Sequence, residues 1–504
     1  MQSTTFHRGW ATACASALLF AALSAEAGPA KNVILMITDG ASWGTWDMAS
    51  YYEYGELGRQ PYDSFPVKLG MTTTPLNTSS SPTFNATPQV DYDPYQAWDD
   101  TPTGGGDHFA GYTYLKKDYT DSAAAGTALA TGQKTYNNAI NFDNFGQPLE
   151  FISQIAKDLG KSTGAVSSVP FSHATPATFG AQNSSRNHYG EISRQMVNGG
   201  DLDLIMGGGN PLYDGDGIAR TTPAYANETG TGGGYIAKSV WDSLTDGSAG
   251  WQFVQDKADF DALADGTLAL TGQPFIGVPK VSGTLQYGRT EAVQGSDLST
   301  PSRVAFNPNV PTLETMTRGA LNYLGQDPDG LFVMIEGGAV DWAAHGRDTA
   351  GIIEEQMDFN AAVKAATDWV EDNSNWMETL LIVLTDHGNA MPMGPDSDDY
   401  PFQAIQNNGQ GNLPGVQWHY GTHTNENTLF FAKGAGSDLF YDHVLGFDPY
   451  LASVLGFNDG RYIENSAVFG VMRDAMVPVP GSLLLVVAGL PLLAARLRGA
   501  AARV

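Results

Sequence analysis

The chain has 504 residues, of which 42 % are hydrophobic, so a large core can form and wholesale disorder is excluded. With 26 basic against 54 acidic side chains the formal net charge is −28, which removes the basic face that a nucleic-acid binder needs. The single cysteine, Cys14, lies in the leader described next, so disulfides, thiolate metal sites and cysteine nucleophiles are excluded from the body.

Residues 1–27 have the form of a secretory signal. Arg8 supplies the positive start, Ala11 to Ala25 the apolar run, and Ala25-Glu26-Ala27 the small residues before a cleavage at Gly28. The body that follows, residues 28–476, is expected to be one catalytic domain. Its first predicted strand, Val33 to Thr38, runs straight into Asp39-Gly40. Residues 72–107 are polar and carry proline and glycine, and read as a loop or insertion. Asp121-Ser122 then opens an alanine-rich helix that Gly132 stops. Taken alone, Ser122 reads as a helix cap; taken functionally, it is a hydroxyl beside amide donors that suit a phosphate.

A helix over 151–160 and a strand over 164–169 come next, then a strand over 202–206 that leads into Gly207-Gly208-Gly209. Residues 214–302 are glycine-rich and polar, and are expected to be an insertion with weak structure of its own. A helix over 312–324 precedes the strand Leu331 to Ile335, which ends in Glu336-Gly337-Gly338. Asp341 and His345 stand four apart, on one face if helical. After a helix over 351–370, the strand Leu380 to Thr385 ends in Asp386-His387-Gly388. His423 supplies a further imidazole, with His419 a rival for that role. Strands alternating with helices predict an α/β fold with a largely parallel sheet covered on both faces.

Three of the five predicted strands thus end in an acid beside glycine. In open parallel sheets, ligands bind outside the carboxyl ends of the strands. Three bare carboxylates there would repel one another, and bound cations would offset that. Without thiols, the His, Asp and Glu donors suit zinc together with magnesium or manganese.

These blocks together resemble the bacterial alkaline phosphatases. The resemblance is carried by Lys31 to Gly40, Thr120 to Thr135, His173-Ala174-Thr175-Pro176-Ala177, Glu336 to His345, Thr385-Asp386-His387, His423-Thr424 and Tyr462 to Ser466. It implies a phosphomonoesterase with two Zn2+ and one Mg2+ per chain and a phosphoserine intermediate at alkaline pH. In that scheme Asp39, Asp386 and His387 hold one zinc, with Ser122 as its fourth ligand and nucleophile. Asp341, His345 and His423 hold the other zinc, and Asp39, Thr175 and Glu336 hold magnesium. Arg186 stands where the family keeps its phosphate-clamping arginine. His173 and Trp342 occupy two positions beside the metals that vary across the family. A phosphodiesterase of the same superfamily and a non-catalytic surface protein are the alternatives. A homodimer is expected by analogy alone.

The segment 477–504 closes the chain with Val477-Pro478-Val479-Pro480-Gly481, an apolar run from Ser482 to Ala495, and Arg496, Arg498 and Arg503. It resembles the PEP-CTERM sorting signals of Gram-negative bacteria, with Val479 where glutamate usually sits. It implies a protein exported to the periplasm, outer surface or medium, with transient membrane insertion and processing at the tail. A simple C-terminal anchor is the alternative.

Overall fold

The computed structural model describes residues 30–477. The leader 1–27 and all of the tail after Val477 therefore lie outside the described residues. Among the described residues, no helix is long and apolar enough to cross a membrane.

The strands in chain order are β1 (Asn32–Thr38), β2 (Val67–Thr72), β3 (Ser162–Pro170), β4 (Leu204–Gly208), β5 (Gln252–Val254), β6 (Phe275–Gly277), β7 (Leu331–Gly337) and β8 (Thr379–Leu384). There follow the two-residue strands β9 (Gly388–Asn389), β10 (Pro392–Met393), β11 (Gln417–Trp418) and β12 (His423–Thr424), and then β13 (Thr428–Gly434), β14 (Gly446–Phe447) and β15 (Arg461–Glu464). Eleven of them form one sheet in the order β14-β15-β2-β13-β8-β1-β7-β3-β4-β6-β5. The run from β8 through β1, β7, β3, β4 and β6 to β5 is parallel; β13 runs antiparallel between β8 and β2.

The central strands are continuous Val, Ile and Leu runs because both faces of the sheet are covered. Ile34, Met36, Val333, Ile335 and Val383 point into one buried cluster, with the helices Leu313–Leu324 and Thr349–Asn373. Val33, Leu35, Ile37, Met334 and Ile382 point into the other, with the helices Ser122–Thr131, Ile152–Asp158 and Ser466–Met476. This is the α/β sheet-and-helix fold expected from the sequence.

Two expectations need correction. The strand expected over 202–206 is shifted to Leu204–Gly208. Asp203 instead bonds Lys157 and the Thr163 amide, and Gly207 lies so close to the crossing chain that a Cβ would stand 2.9 Å from the Phe171 nitrogen. Residues 214–302 are not weakly structured: they supply β5 and β6 to the sheet edge and the helices Lys238–Thr245 and Lys257–Ala264. Their strands are three residues long, too short for a periodic signal. Residues 72–107 hold only the helix Pro94–Ala97 after β2 ends, and Trp98 anchors them by stacking on Trp43 at 4.5 Å.

Candidate metal centre and nucleophile

Sheet order decides the site. β1 lies between β8 and β7, and Ile37 of β1 is level with Leu384 and Glu336. Asp39, Glu336 and Asp386, far apart in sequence, therefore leave three neighbouring strands at one sheet edge. All three are at most 1 % exposed. Gly40 makes the turn after Asp39 with φ +68°, and a Cβ there would stand 2.6 Å from Asp341 Oδ1. Its amide donates to Asp386 Oδ1 at 3.2 Å.

His387 follows Asp386 directly. Its Nε2 lies 3.4 Å from Asp39 Oδ1, 3.3 Å from Asp386 Oδ2 and 3.2 Å from Ser122 Oγ. Asp341 and His345 share the helix Ala339–His345 that follows β7. His423 arrives on β12, whose pairing with β9 places it opposite Asn389. Nε2 of His345 and of His423 are each 3.4 Å from Asp341, and 3.2 Å from each other. The His387 and His423 rings stack at 3.7 Å, so the two groups adjoin.

The proton inventory shows what is missing. His345 Nδ1–H donates to the Gly421 carbonyl, His387 Nδ1–H to Gly388 and His423 Nδ1–H to Thr120, at 3.1, 3.3 and 2.9 Å. A carbonyl can only accept, so in each neutral ring Nε2 presents a lone pair. Those lone pairs face each other and face carboxylates. Both oxygens of Asp39, Oδ2 of Asp386, Oε1 of Glu336 and Oγ1 of Thr175 are buried without a hydrogen-bond partner. Five such atoms in one place are costly unless a cation meets them.

The spacing fits that answer. Zinc bonds of about 2.0–2.1 Å in a tetrahedron separate ligand atoms by about 3.3–3.4 Å, close to the separations found here. Asp39, Asp386 and His387 form one group able to hold a metal ion; Asp341 and His423 join His387 in another. Thr175, on the short helix Ala174–Ala177 after β3, and Asp39 lie beside Glu336, which also accepts from Ser167 Oγ. That third group is all oxygen and suits a hard ion such as magnesium.

Electrostatics point the same way. Burial, then the neighbouring acids, push Asp39 up; burial pushes Glu336 to about 8 and Asp386 to about 6. Burial also raises Asp341, but His423 and then His345 and His387 outweigh it and hold that carboxyl well below its usual range, while Asp341 outweighs burial and pushes His423 up, so a positive charge, whether proton or metal ion, is favoured between them. Burial, reinforced by His423 and Arg186 nearby, keeps His387 neutral.

Ser122 is the first residue of a buried helix whose N-cap is Asp121, not the serine itself. Asp121 Oδ1 accepts the Ala124 amide at 3.0 Å, a cap contributing about 1 kcal/mol. Its Oδ2 receives Arg186 at 2.9 Å, so one carboxylate aligns helix and guanidinium. Arg186, His173, Tyr287, Asp341, Trp342, His345 and His423 line a cavity of about 420 Å³.

All ten residues singled out by sequence as catalytic or metal-binding thus lie in this one region. His419, the rival to His423, does not: it bonds Ser397 elsewhere. Sequence reasoning missed the positioning residues. Asn389 donates to Asp341 Oδ1 at 2.6 Å, Ser167 donates to Glu336, and Asp121 accepts from the arginine. Asp121 could have been found from its place before Ser122; Asn389 and Ser167 carry no sequence signal.

A family model described as alkaline phosphatase matches residues 107–413. The chain is 32 % identical over 277 residues to alkaline phosphatase 3 of Bacillus subtilis (strain 168), covering 54 % of this chain but only half of that relative. It is 27 % identical over 465 residues to the alkaline phosphatase of Escherichia coli (strain K12), covering 86 % of this chain and 84 % of the other. The structure of the alkaline phosphatase from the Antarctic bacterium TAB5 superposes with a TM-score of 0.56 at 21 % identity, covering 89 % of this chain and 98 % of that one. Since the family model spans more than half of the sequence, the chain belongs to the alkaline phosphatase family.

Proposed function

We propose that the protein is a metal-dependent phosphomonoesterase that converts phosphate monoesters to alcohol and inorganic phosphate through a phosphoserine at Ser122, with an alkaline optimum. The observation that carries this reading is the Ser122 hydroxyl, 3.2 Å from His387 Nε2 at a helix N-terminus, beside five buried oxygens without partners. In this reading Asp39, Asp386 and His387 hold one zinc, Asp341, His345 and His423 the other, and Asp39, Thr175 and Glu336 magnesium. Bound there, the cations would supply Lewis acidity that lowers the pKa of the serine hydroxyl and offsets charge on the phosphoryl group.

The chain's own residues do the rest. Ser122 Oγ attacks phosphorus, the new O–P bond forms, and the ester oxygen leaves as the alcohol. Amides of the first helical turn and the Arg186 fork hold the phosphoryl oxygens, where charge stays throughout. Asp121 keeps Arg186 pointed at them. Asn389 fixes Asp341, and the backbone carbonyls fix the three imidazoles. Water then cleaves the O–P bond of the phosphoserine and restores the hydroxyl.

Family membership supports monoester over diester chemistry, and the occupied ligand positions argue against a non-catalytic surface protein. Export through the 1–27 leader, anchoring or processing at 477–504, and a homodimer belong to the same proposal; they rest on sequence and analogy. The test is hydrolysis of p-nitrophenyl phosphate against bis-p-nitrophenyl phosphate at alkaline pH, with and without chelator. Monoester preference that chelation abolishes and zinc with magnesium restores is expected. Diester preference, or activity indifferent to chelation, overturns the reading.

A further inference from the structure

The cavity beside Ser122 has a neighbour. A second cavity of about 430 Å³ shares Tyr287 and Trp342 with it and is otherwise walled mainly by residues 214–302. A row of rings runs from one to the other. Trp342 meets His173 edge-on with ring centres 5.7 Å apart, His173 stacks on Tyr189 at 6.3 Å, and Tyr189 meets Tyr235 of the second cavity at 5.0 Å. A Cβ on Gly283 would meet only the Trp342 ring, at 3.7 Å, so a larger side chain there would take up cavity space.

Arg220 stands in the wall of this cavity, on the solvent side. Its Nε donates to the Tyr213 carbonyl at 2.6 Å and its amide to the Leu212 carbonyl at 2.7 Å, and Tyr213 bridges Ala219, so a closed turn holds the side chain in place. The acids of that turn are engaged by amides instead. Asp214 Oδ1 accepts from Asp216 and Ile218, and Asp216 Oδ1 from Thr290. Among the described residues Arg220 forms no ion pair, although the chain has 54 acidic side chains against 26 basic ones. The two terminal nitrogens of its fork are therefore left for a ligand, and their geometry suits the oxygens of a carboxylate or phosphate. Among the described residues the Ser282 and Tyr235 hydroxyls and the Trp342 indole N–H likewise have no hydrogen-bond partner. Burial, then Tyr189, pushes Tyr235 up to about 12, so its hydroxyl stays a donor at alkaline pH.

We propose that this cavity receives the alcohol part of the phosphate monoester and that Arg220 binds a second anionic group on it, which makes sugar-sized monoesters with a further carboxylate or phosphate the preferred substrates. The proposal rests on the phosphomonoesterase reading and names its substrate class. With the phosphoryl group at Ser122, the Trp342 and Tyr287 rings cover the carbon face of the alcohol, and Tyr235 and Ser282 meet its hydroxyls. In a chain of net charge −28, a fixed cation at the far end of the substrate offsets the repulsion that a doubly anionic ester meets.

The test compares kcat/KM for 6-phosphogluconate with that for sorbitol 6-phosphate, which carries a hydroxymethyl group in place of the carboxylate. It uses the full-length protein supplied with zinc and magnesium, unaltered and as Arg220→Gln. The unaltered protein should favour 6-phosphogluconate by roughly three- to thirtyfold, the range between an exposed and a well-held charge pair. Arg220→Gln should bring the ratio close to one, with inhibition by inorganic phosphate reporting the Ser122 cavity separately. A ratio near one in the unaltered protein, or the same ratio in Arg220→Gln, overturns the proposal and leaves the Ser122 reading standing. Should Arg220→Gln fail to fold, Gly283→Leu decides: a raised KM for both sugar esters with unchanged phosphate inhibition supports the subsite, and an unchanged KM refutes it. No turnover of either sugar ester or of p-nitrophenyl phosphate would overturn the Ser122 reading, and this proposal with it.

Discussion

Two clusters of carboxylates in this protein, each with buried members, meet opposite fates. Glu354, Glu355 and Asp358 sit on one long helix. Arg289 pairs with Glu354 at 2.8 Å with both side chains at most 4 % exposed, the Ser302 amide donates to Glu354, and the Leu313 amide to Asp358. Glu355 has an oxygen with no partner, and burial, then Asp358 and Glu354, lift it to about 8, so it keeps a proton. Asp39, Glu336 and Asp386 come from three strands and, among the described residues, form no ion pair with arginine or lysine. Their free oxygens converge on shared points with imidazole lone pairs. The first cluster is neutralised from within the chain, by diverging partners. The second is built to be neutralised from outside, and convergence is what separates a site from a buried network.

The comparison can be broken in stages. The largest effect should come from Ser122→Ala, which removes the oxygen that attacks phosphorus. Loss of about 10³-fold or more in kcat/KM for p-nitrophenyl phosphate is expected, with zinc content nearly kept; retained turnover would exclude the phosphoserine route. Next, Arg289→Met should cost about 3–5 kcal/mol in chemical denaturation, because Glu354 is left charged and buried. That loss should appear with metals present or stripped. Asp39→Asn should instead change sign: it relieves repulsion and raises the melting temperature of the stripped protein, but lowers that of the metal-loaded one. The same sign in both states would mean that the two clusters do not differ.

Arg186→Lys should be milder, since the ammonium keeps the charge but loses the planar fork. A cost of about 1–3 kcal/mol, or roughly five- to 150-fold, in phosphate inhibition is expected. The smallest effect concerns Glu355. Its folded pKa lies above its unfolded value, so between about pH 4.5 and 8 the native state binds more protons than the unfolded one. Stability then falls as pH rises through that window, by at most about 1.4 kcal/mol per pH unit. Glu355→Gln should flatten that slope in urea titrations repeated across pH; an unchanged slope would place the proton elsewhere.

Some of this was legible early. Val33 to Thr38 and Leu380 to Thr385 announce buried strands by composition, and the acid after each is visible in the sequence. The helix at Ser122 was readable from its alanines and Gly132. The cap was not: Asp121 and Ser122 are both good capping residues, and only the arginine contact and the amide bond separate them. The structure of region 214–302 is not legible in the sequence because its three-residue strands bury their side chains through neighbours, not through a pattern of their own. Between His419 and His423, local pattern offers no means of choice and only the family resemblance favours His423; pairing of β12 with β9 turns it to Asp341, and Ser397 holds His419 away.

By itself, then, the sequence determined the local matters: which runs are strands, which helices follow them, and that acids stand at strand ends without thiols to share the work. These depend on residues a few positions apart. The order β8-β1-β7 was decided only in the tertiary structure, because strand neighbours are chosen by long-range packing of two buried faces. That order sets Asp39, Glu336 and Asp386 side by side, turns three imidazole lone pairs inward, and so makes separate acids into one centre.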